Sequence, residues 1–395
     1  MVRFNILPKD IMIEILIRLP TQSVLKCKLV SKQWRDLIHH PSFSQLHLNY
    51  LNHSDAHADA GKLNYIFSTM GIEKQFYYTE YDDENFHETT PFSRQTRIKL
   101  DPPFIDNYIL SSCDGLICFN ARCNKEEFYY EPAYICNPIT REYIILPKLE
   151  EEHMIDLLFG FGYNSSTNEY KVVRIYNSKR EPNVGIIQVY TLGSGNGWRN
   201  VGKMNMDIKH LGQCAGAFAN EALHWVDQER NIILAFHLTD EKFSELPPPP
   251  PCLTRAGVPY LVLGLGVLGD FLSATFYFNA GDCNMWLLKK NKDTDTDLSW
   301  SKEFSFDSYI HLPFDFMKSG RLLCCGRGKI VSYDPKASSA EMDVSFGKSI
   351  SAAIPHKNTL VSLKVLGEKD TKTMESGEST SSSEETESSD KLKKP

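Results

Sequence analysis

From Lys62 onward the chain is written in short runs of valine, isoleucine, tyrosine and phenylalanine, each closed by Gly, Asn, Asp or Pro, and this rhythm restricts the fold more than any other feature. The runs include Tyr65-Ile66-Phe67, Gly115-Leu116-Ile117-Cys118-Phe119, Tyr143-Ile144-Ile145-Leu146, Tyr170 to Ile175, Ile187 to Tyr190, Asn231 to Phe236, Met285 to Leu288 and Lys329 to Tyr333. Such side chains suit a pleated, half-buried surface, and the runs are too short for helices. No long helical period follows residues 41–48, so the pattern predicts an antiparallel, all-β domain rather than alternating β and α elements.

A weak repeat sharpens the expectation. A strand, a turn and a stretch closing on Pro or Trp recur with closing landmarks at Leu146-Pro147, Trp198, Leu246-Pro247, Trp300 and Val344. Their spacing, roughly fifty residues, is that of a four-stranded, kelch-like propeller blade and far exceeds a hairpin repeat. Five landmarks, with further strands at 63–81 and 359–366, predict about six blades, the two chain ends pairing to close the ring. A pair of β-sandwiches is the alternative arrangement.

The first 48 residues follow a different grammar. Pro8 suits a first helical turn, Asp10 puts negative charge at a helix N-terminus, and Pro20 stops the helix after Leu19. A second helix is expected over about Thr21 to Val30. Ser31 is a good N-cap for a third, which carries Trp34, Leu37 and Ile38 and ends at Pro41. Ile11, Met12, Ile15, Leu16 and Leu19 form an apolar stripe wider than one small bundle needs, leaving part of it free to bind. Forty residues also bury too little surface to offset their ordering entropy alone.

This ordered set resembles an F-box, through Leu7, Pro8, Ile11, Ile15, Leu16, Leu19, Pro20, Leu25, Val30 and Trp34, with Cys27 and Leu29 as apolar departures from the plant pattern. The remainder resembles the F-box-associated domain of plant F-box proteins, through Ser112 to Leu116, Cys136 to Arg141, Phe161-Gly162-Tyr163, Glu169 to Val173, Leu223-His224-Trp225 and Ile233 to Phe236. The resemblance implies that those ten N-terminal residues dock on the Skp-type adaptor of a cullin-RING ubiquitin ligase, while the propeller binds a target protein. It implies a receptor with no catalytic residue and no cofactor. A non-degradative scaffold or sensor, whose propeller binds a glycan or small ligand, is the alternative.

The expected organisation is therefore α+β and multidomain: an F-box at 1–48, a linker at 49–61, an antiparallel propeller at 62–366 and a disordered Ser/Glu-rich tail at 367–395. The tail carries eight acidic residues against five lysines, and its Ser379 to Ser383 run precedes Glu384-Glu385, so it reads as solvated chain with candidate kinase sites. A net charge of −7 gives no electrostatic footprint for nucleic acid. The N-terminus lacks the apolar core of a signal peptide and the longest apolar stretch, Tyr260 to Leu268, is too short to span a bilayer, which predicts an intracellular, soluble protein of the cytoplasm or nucleus.

Ten scattered cysteines contain no Cys-x-x-Cys pair, and the adjacent Cys324 and Cys325 are expected on opposite faces of one strand. Gly264 to Gly269 spells the Gly-x-Gly-x-x-Gly dinucleotide fingerprint, but Ser273 to Phe278 after it reads as a strand. Glycines crowding near a propeller axis explain the motif without a nucleotide. No metalloprotease or serine-hydrolase motif is present.

Overall fold

The computed structural model describes residues 7–53, 62–69, 75–82, 92–98, 106–122, 133–149, 154–212, 215–250, 262–277, 282–290, 298–307, 312–317, 319–326, 329–335, 339–344, 349–374 and 379–380. Four helices come first: α1 (Lys9–Ile17), α2 (Thr21–Cys27), α3 (Lys32–Ile38) and α4 (Pro41–His53). The Ser31 hydroxyl accepts the Trp34 N–H at 3.1 Å, the cap expected for α3. Pro41 does not end the helical module. It opens α4, because proline at a first helical position lacks only an N–H that would be unsatisfied anyway. The helix continues to His53, five residues into the segment expected to be linker, and the remaining linker at 54–61 lies outside the described residues.

Six antiparallel sheets follow, four built from consecutive strands alone and two that also take in strands from the end of the chain. Blade 1 holds β1 (Lys62–Thr69), β2 (Phe76–Asp82) and β3 (Phe92–Ile98). Blade 2 holds β4 (Asp106–Cys113), β5 (Leu116–Arg122), β6 (Ala133–Asn137) and β7 (Glu142–Ile145). Blade 3 holds β8 (Met154–Asn164), β9 (Glu169–Ser178), β10 (Gly185–Thr191) and β11 (Trp198–Met204). Blade 4 holds β12 (Ala217–Ala219), β13 (Ala222–Asp227), β14 (Ile232–His237) and β15 (Phe243–Leu246). Blade 5 holds β16 (Val262–Leu268), β17 (Phe271–Tyr277), β18 (Asp282–Lys290) and β19 (Leu298–Asp307). Blade 6 holds β20 (Leu312–Phe316), β21 (Leu322–Gly326), β22 (Lys329–Asp334) and β23 (Ser339–Val344). The fold is thus a six-blade β-propeller, and its radial sheets exclude a sandwich pair.

The ring closes through β24 (Ile350–Pro355), which pairs with β1 in the register Ile66 to Ile354 and Phe67 to Ala353 and supplies the innermost strand of blade 1. The closing strand is therefore not 359–366 as the sequence suggested: that stretch is extended chain ending in a short helix, α5 (Leu363–Leu366). The boundary expected at 366 also moves. Residues 367–374 pack on the propeller, with β25 (Lys372–Thr373) pairing to β7 and Met374 buried, and β26 (Ser379–Thr380) pairs with β3. The rest of the acidic tail lies outside the described residues.

The core is distributed rather than central. One apolar seam fills each gap between neighbouring blades, such as Phe76, Phe119 and Tyr134 between blades 1 and 2, or Ile175, Trp225 and Phe236 between blades 3 and 4. The repeat landmarks have a structural cause at these gaps. Trp198 on β11 donates its indole N–H to the carbonyl of Pro147, which closes blade 2, at 2.9 Å; Trp300 on β19 does the same to Pro247, closing blade 4, at 3.0 Å. The Arg174 guanidinium lies 4.0 Å over the Trp198 ring. Cys324 and Cys325 do face opposite seams, between blades 5 and 6 and between blades 6 and 1. Burial pushes their thiols up to about 12 and about 11, so neither is a thiolate at neutral pH.

Candidate adaptor-binding surface and target face

Helix α1 divides its apolar stripe between two directions. Met12 and Leu16 are fully buried against Val24, Leu37, Ile38 and Phe43, forming the helical core. One residue back along the helix, Ile11 and Ile15 sit a turn apart and remain 47% and 41% exposed. After α2 the chain turns through Leu29 and Val30, which are 82% and 60% exposed. That turn is held by backbone bonds from Leu29 N–H to Lys26 O (3.0 Å) and Val30 N–H to Cys27 O (3.1 Å), and Arg35 Nε reaches Lys28 O at 3.3 Å. Burying each exposed aliphatic group against a partner would stabilise a complex by about 1–2 kcal/mol.

The ten residues singled out from the sequence thus separate. Pro8, Ile11, Ile15 and Val30 are exposed, while Leu7, Leu19, Pro20, Leu25 and Trp34 are half-buried. Leu16 is a correction: it has no exposed surface, so it shapes the patch from beneath rather than touching a partner. Leu29, an apolar departure from the plant pattern, is the most exposed large apolar side chain among the described residues. Its signal was available in sequence: two consecutive apolar residues just before an N-cap serine cannot both face a small core. Exposed Lys26, Lys32 and Arg35 lie on the same segments and give this end of the module positive charge.

The module sits on one face of the propeller. Because the strands of each sheet run antiparallel, the two described turns of blade 2 that join β4 to β5 and β6 to β7 open on the same face. Asp114-Gly115 (first turn of blade 2) and residues 138–141 (third turn) lie on the F-box side. Asp114 and Gly115 have φ of 48° and 82°, both in the positive region that a tight hairpin turn requires. Asn137, at the end of β6, is fully buried; its amide donates to Val361 O at 2.8 Å and Thr359 O at 3.3 Å.

The opposite face is free of the helical module. There the blade 3 to blade 4 crossover and the second turn of blade 4 frame a cleft of about 670 Å³, with Met204, Met206, Leu234 and Phe243 among its walls. Its charged groups are largely committed to one another. Burial alone would raise Asp227, yet bonds from the Arg230 backbone and side chain, at 3.0 and 2.6 Å, hold its carboxyl below the usual range. Arg230 also binds Glu245 at 2.7 Å. The Gly264 to Gly269 fingerprint runs along β16, an innermost strand, and into a hairpin turn followed by β17. No helix N-terminus therefore follows it to receive a pyrophosphate.

Three histidines, His47, His224 and His356, are buried, and burial holds each below its ordinary range. His224, from the Leu-His-Trp motif, bonds Ala217 O through Nδ1 at 3.1 Å, and burial lowers it to about 4. His356 is buried edge-on to Tyr78 with no described partner for either ring nitrogen, and burial lowers it to about 3. Both folded values lie below the ordinary 6.5, so the unfolded chain takes up these protons first as pH falls. The stability that these two rings contribute is full above about pH 6.5 and is lost toward pH 3–4, by about 2 kcal/mol per ring at pH 5. Urea midpoints at pH 7.5 and 5 should show the decline, and His356→Phe should flatten it; an unchanged slope would contradict the buried neutral ring.

An F-box joined to a β-propeller defines a class of two-ended receptor proteins. The match to known families is consistent along the chain: residues 4–46 fit the F-box domain and residues 63–333 fit the F-box associated beta propeller domain. The chain belongs to the F-box-associated propeller family, whose members generally act as substrate receptors in SCF ligases. Relatives include an Arabidopsis thaliana F-box protein, 27% identical over 77% of this chain and 73% of the relative. An Arabidopsis F-box/LRR-repeat/kelch-repeat protein is 29% identical over 79% and 80%. Among solved structures, a Pseudomonas aeruginosa periplasmic gluconolactonase aligns with a TM-score of 0.41 at 11% identity, over 75% of this chain and 99% of that one. Among the described residues no helix is long and apolar enough to cross a membrane.

Proposed function

We propose that this chain is the substrate-recognition subunit of an SCF-type ubiquitin ligase, binding a Skp-type adaptor through Pro8, Ile11, Ile15, Leu29 and Val30 and a target protein through the propeller face opposite the helices. The observation that carries the reading is the set of apolar side chains, Ile11 and Ile15 on α1 and Leu29 and Val30 after α2, left exposed while Met12, Leu16, Val24 and Leu37 take up the core. The role is proximity: one scaffold holding adaptor and target raises the effective concentration of target lysines near the charged ubiquitin carrier, so this chain itself needs no reacting group.

The purified chain should capture the adaptor and, with cullin, RING protein and ubiquitin carrier present, should raise ubiquitination of proteins held by the propeller. Bound proteins that neither become ubiquitinated nor accumulate under proteasome inhibition would sink the receptor role and favour a scaffold. The basic residues Lys26, Lys32 and Arg35 lead to a further expectation. The adaptor association rate should fall by about threefold or more between 50 and 300 mM salt, because screening weakens steering toward an acidic partner surface. Stopped-flow mixing reads this directly, and a salt-independent rate would exclude charge steering.

A further inference from the structure

Beyond β24 the chain does not leave the propeller. Residues 356–363 run between the helical module and the blades, and six of the eight are buried. Toward the helices, Leu360 completes the core made by Met12, Leu16, Val24, Leu37, Ile38 and Phe43. The Thr21 hydroxyl donates to Asn358 O at 2.7 Å, and Lys357 Nζ donates to the Asn52 side chain on α4. Toward the propeller, His356 N–H reaches Asn64 O at 2.8 Å and the Asn358 amide reaches the Tyr78 hydroxyl at 2.8 Å. The Thr359 hydroxyl donates to Asp114 O at 2.6 Å, and Val361 and Leu363 join the seam of blades 2 and 3. Farther along, Glu368 accepts the Gly193 N–H at 2.7 Å, and Met374 N–H bonds Arg141 O at 2.8 Å. The segment is pinned on both sides and then at two later points.

We infer that residues 356–374 are a positioning strap that locks the helical module to blades 1–3 and so sets the direction in which the propeller presents its target, an inference that rests on the receptor role proposed above. Direct ties between module and blades add to the strap: among the described residues Gln22 bonds Glu80 at 2.6 Å, Asn52 on α4 bonds Asp114, and Leu48 of α4 sits in the seam of blades 2 and 3. A tether of flexible chain would let bound target wander through many orientations. A strap buried on both sides confines it to one, which concentrates target lysines where ubiquitin arrives. Leu360, Thr359 and Asn137 are the positioning residues: they touch neither the exposed apolar patch nor the opposite face.

The test measures the distance distribution between spin labels at residues 32 and 203 of the full chain, both exposed lysines on α3 and β11, alongside adaptor capture. The wild-type chain should give one narrow distance. Leu360→Ala with Thr21→Val should broaden it at least twofold, with adaptor affinity changed by less than about threefold, and Leu360→Met should restore the narrow distribution. Asn137→Ala, which loosens the strap from the propeller side and leaves the helices untouched, should broaden it as well. A distribution as narrow in the loosened chains as in wild type would overturn the strap. Loss of adaptor capture by the wild-type chain would instead overturn the receptor reading while leaving the distance comparison valid.

Discussion

Carboxylates placed at Ile11 and Ile15 should abolish adaptor capture while leaving the fold intact. Both side chains are nearly half exposed and lie one helical turn apart, so Ile11→Asp with Ile15→Asp costs the free protein little. On binding, the two charges would have to be stripped of water against an apolar surface. The expected loss is at least 100-fold in affinity, about 3 kcal/mol, with a Tm within about 2 °C of wild type. Calorimetric titration with the adaptor and a thermal scan measure both quantities, and unchanged capture would refute the patch as the docking surface. Leu16→Asp is not an equivalent test, because Leu16 is fully buried and its replacement would unfold the module along with any binding.

A β-branched residue at position 115 should destabilise the propeller more than any surface change. Gly115 has a φ of 82°, and a Cβ there would lie 2.3 Å from the Thr359 hydroxyl and 2.8 Å from Lys357 O. Gly115→Val therefore combines left-handed strain with a collision against the strap, and is expected to cost roughly 3–5 kcal/mol. Gly195→Ala separates the two contributions: its φ is 70°, but nothing lies within 4 Å of the added carbon, so only about 1 kcal/mol of backbone cost is expected. Urea unfolding of both variants decides the matter, and equal losses would show that the strap yields freely at Asp114-Gly115.

The legible parts of the fold share a physical property. The strand runs read from the sequence are mostly second and third strands of their blades, such as β9 and β14, whose side chains are buried on both faces by neighbouring blades. Two-sided burial writes continuous apolar runs. The innermost strand β24 and the outer additions β25 and β26 left no such run. β24 mixes buried and exposed positions, and Lys372-Thr373 joins the sheet through backbone pairing to β7, which any polar dipeptide can make. The start of the acidic tail reads as solvated chain because its anchors are distant in sequence: Glu368 accepts from the Gly193 N–H and the Tyr190 hydroxyl, and Met374 is bonded to Arg141. α4 is not legible in the sequence because Pro41 reads equally as a stop and as a first turn.

The amino-acid sequence by itself determined the two-part organisation, the blade period with its Trp and Pro landmarks, and the presence of an N-terminal helical module with more apolar surface than its core can use. These follow from local periodicity and from turn residues whose backbone preferences are intrinsic. Only the tertiary structure decided that Leu16 lies inside while Ile11, Ile15, Leu29 and Val30 lie outside, because neighbours on one helix are equally apolar and the packing of the other helices chooses between them. It also decided that residues 356–374 bind module to propeller. That assignment depends on bonds such as Asn137 to Val361 and Thr21 to Asn358, which join positions 224 and 337 residues apart and leave no mark on local pattern.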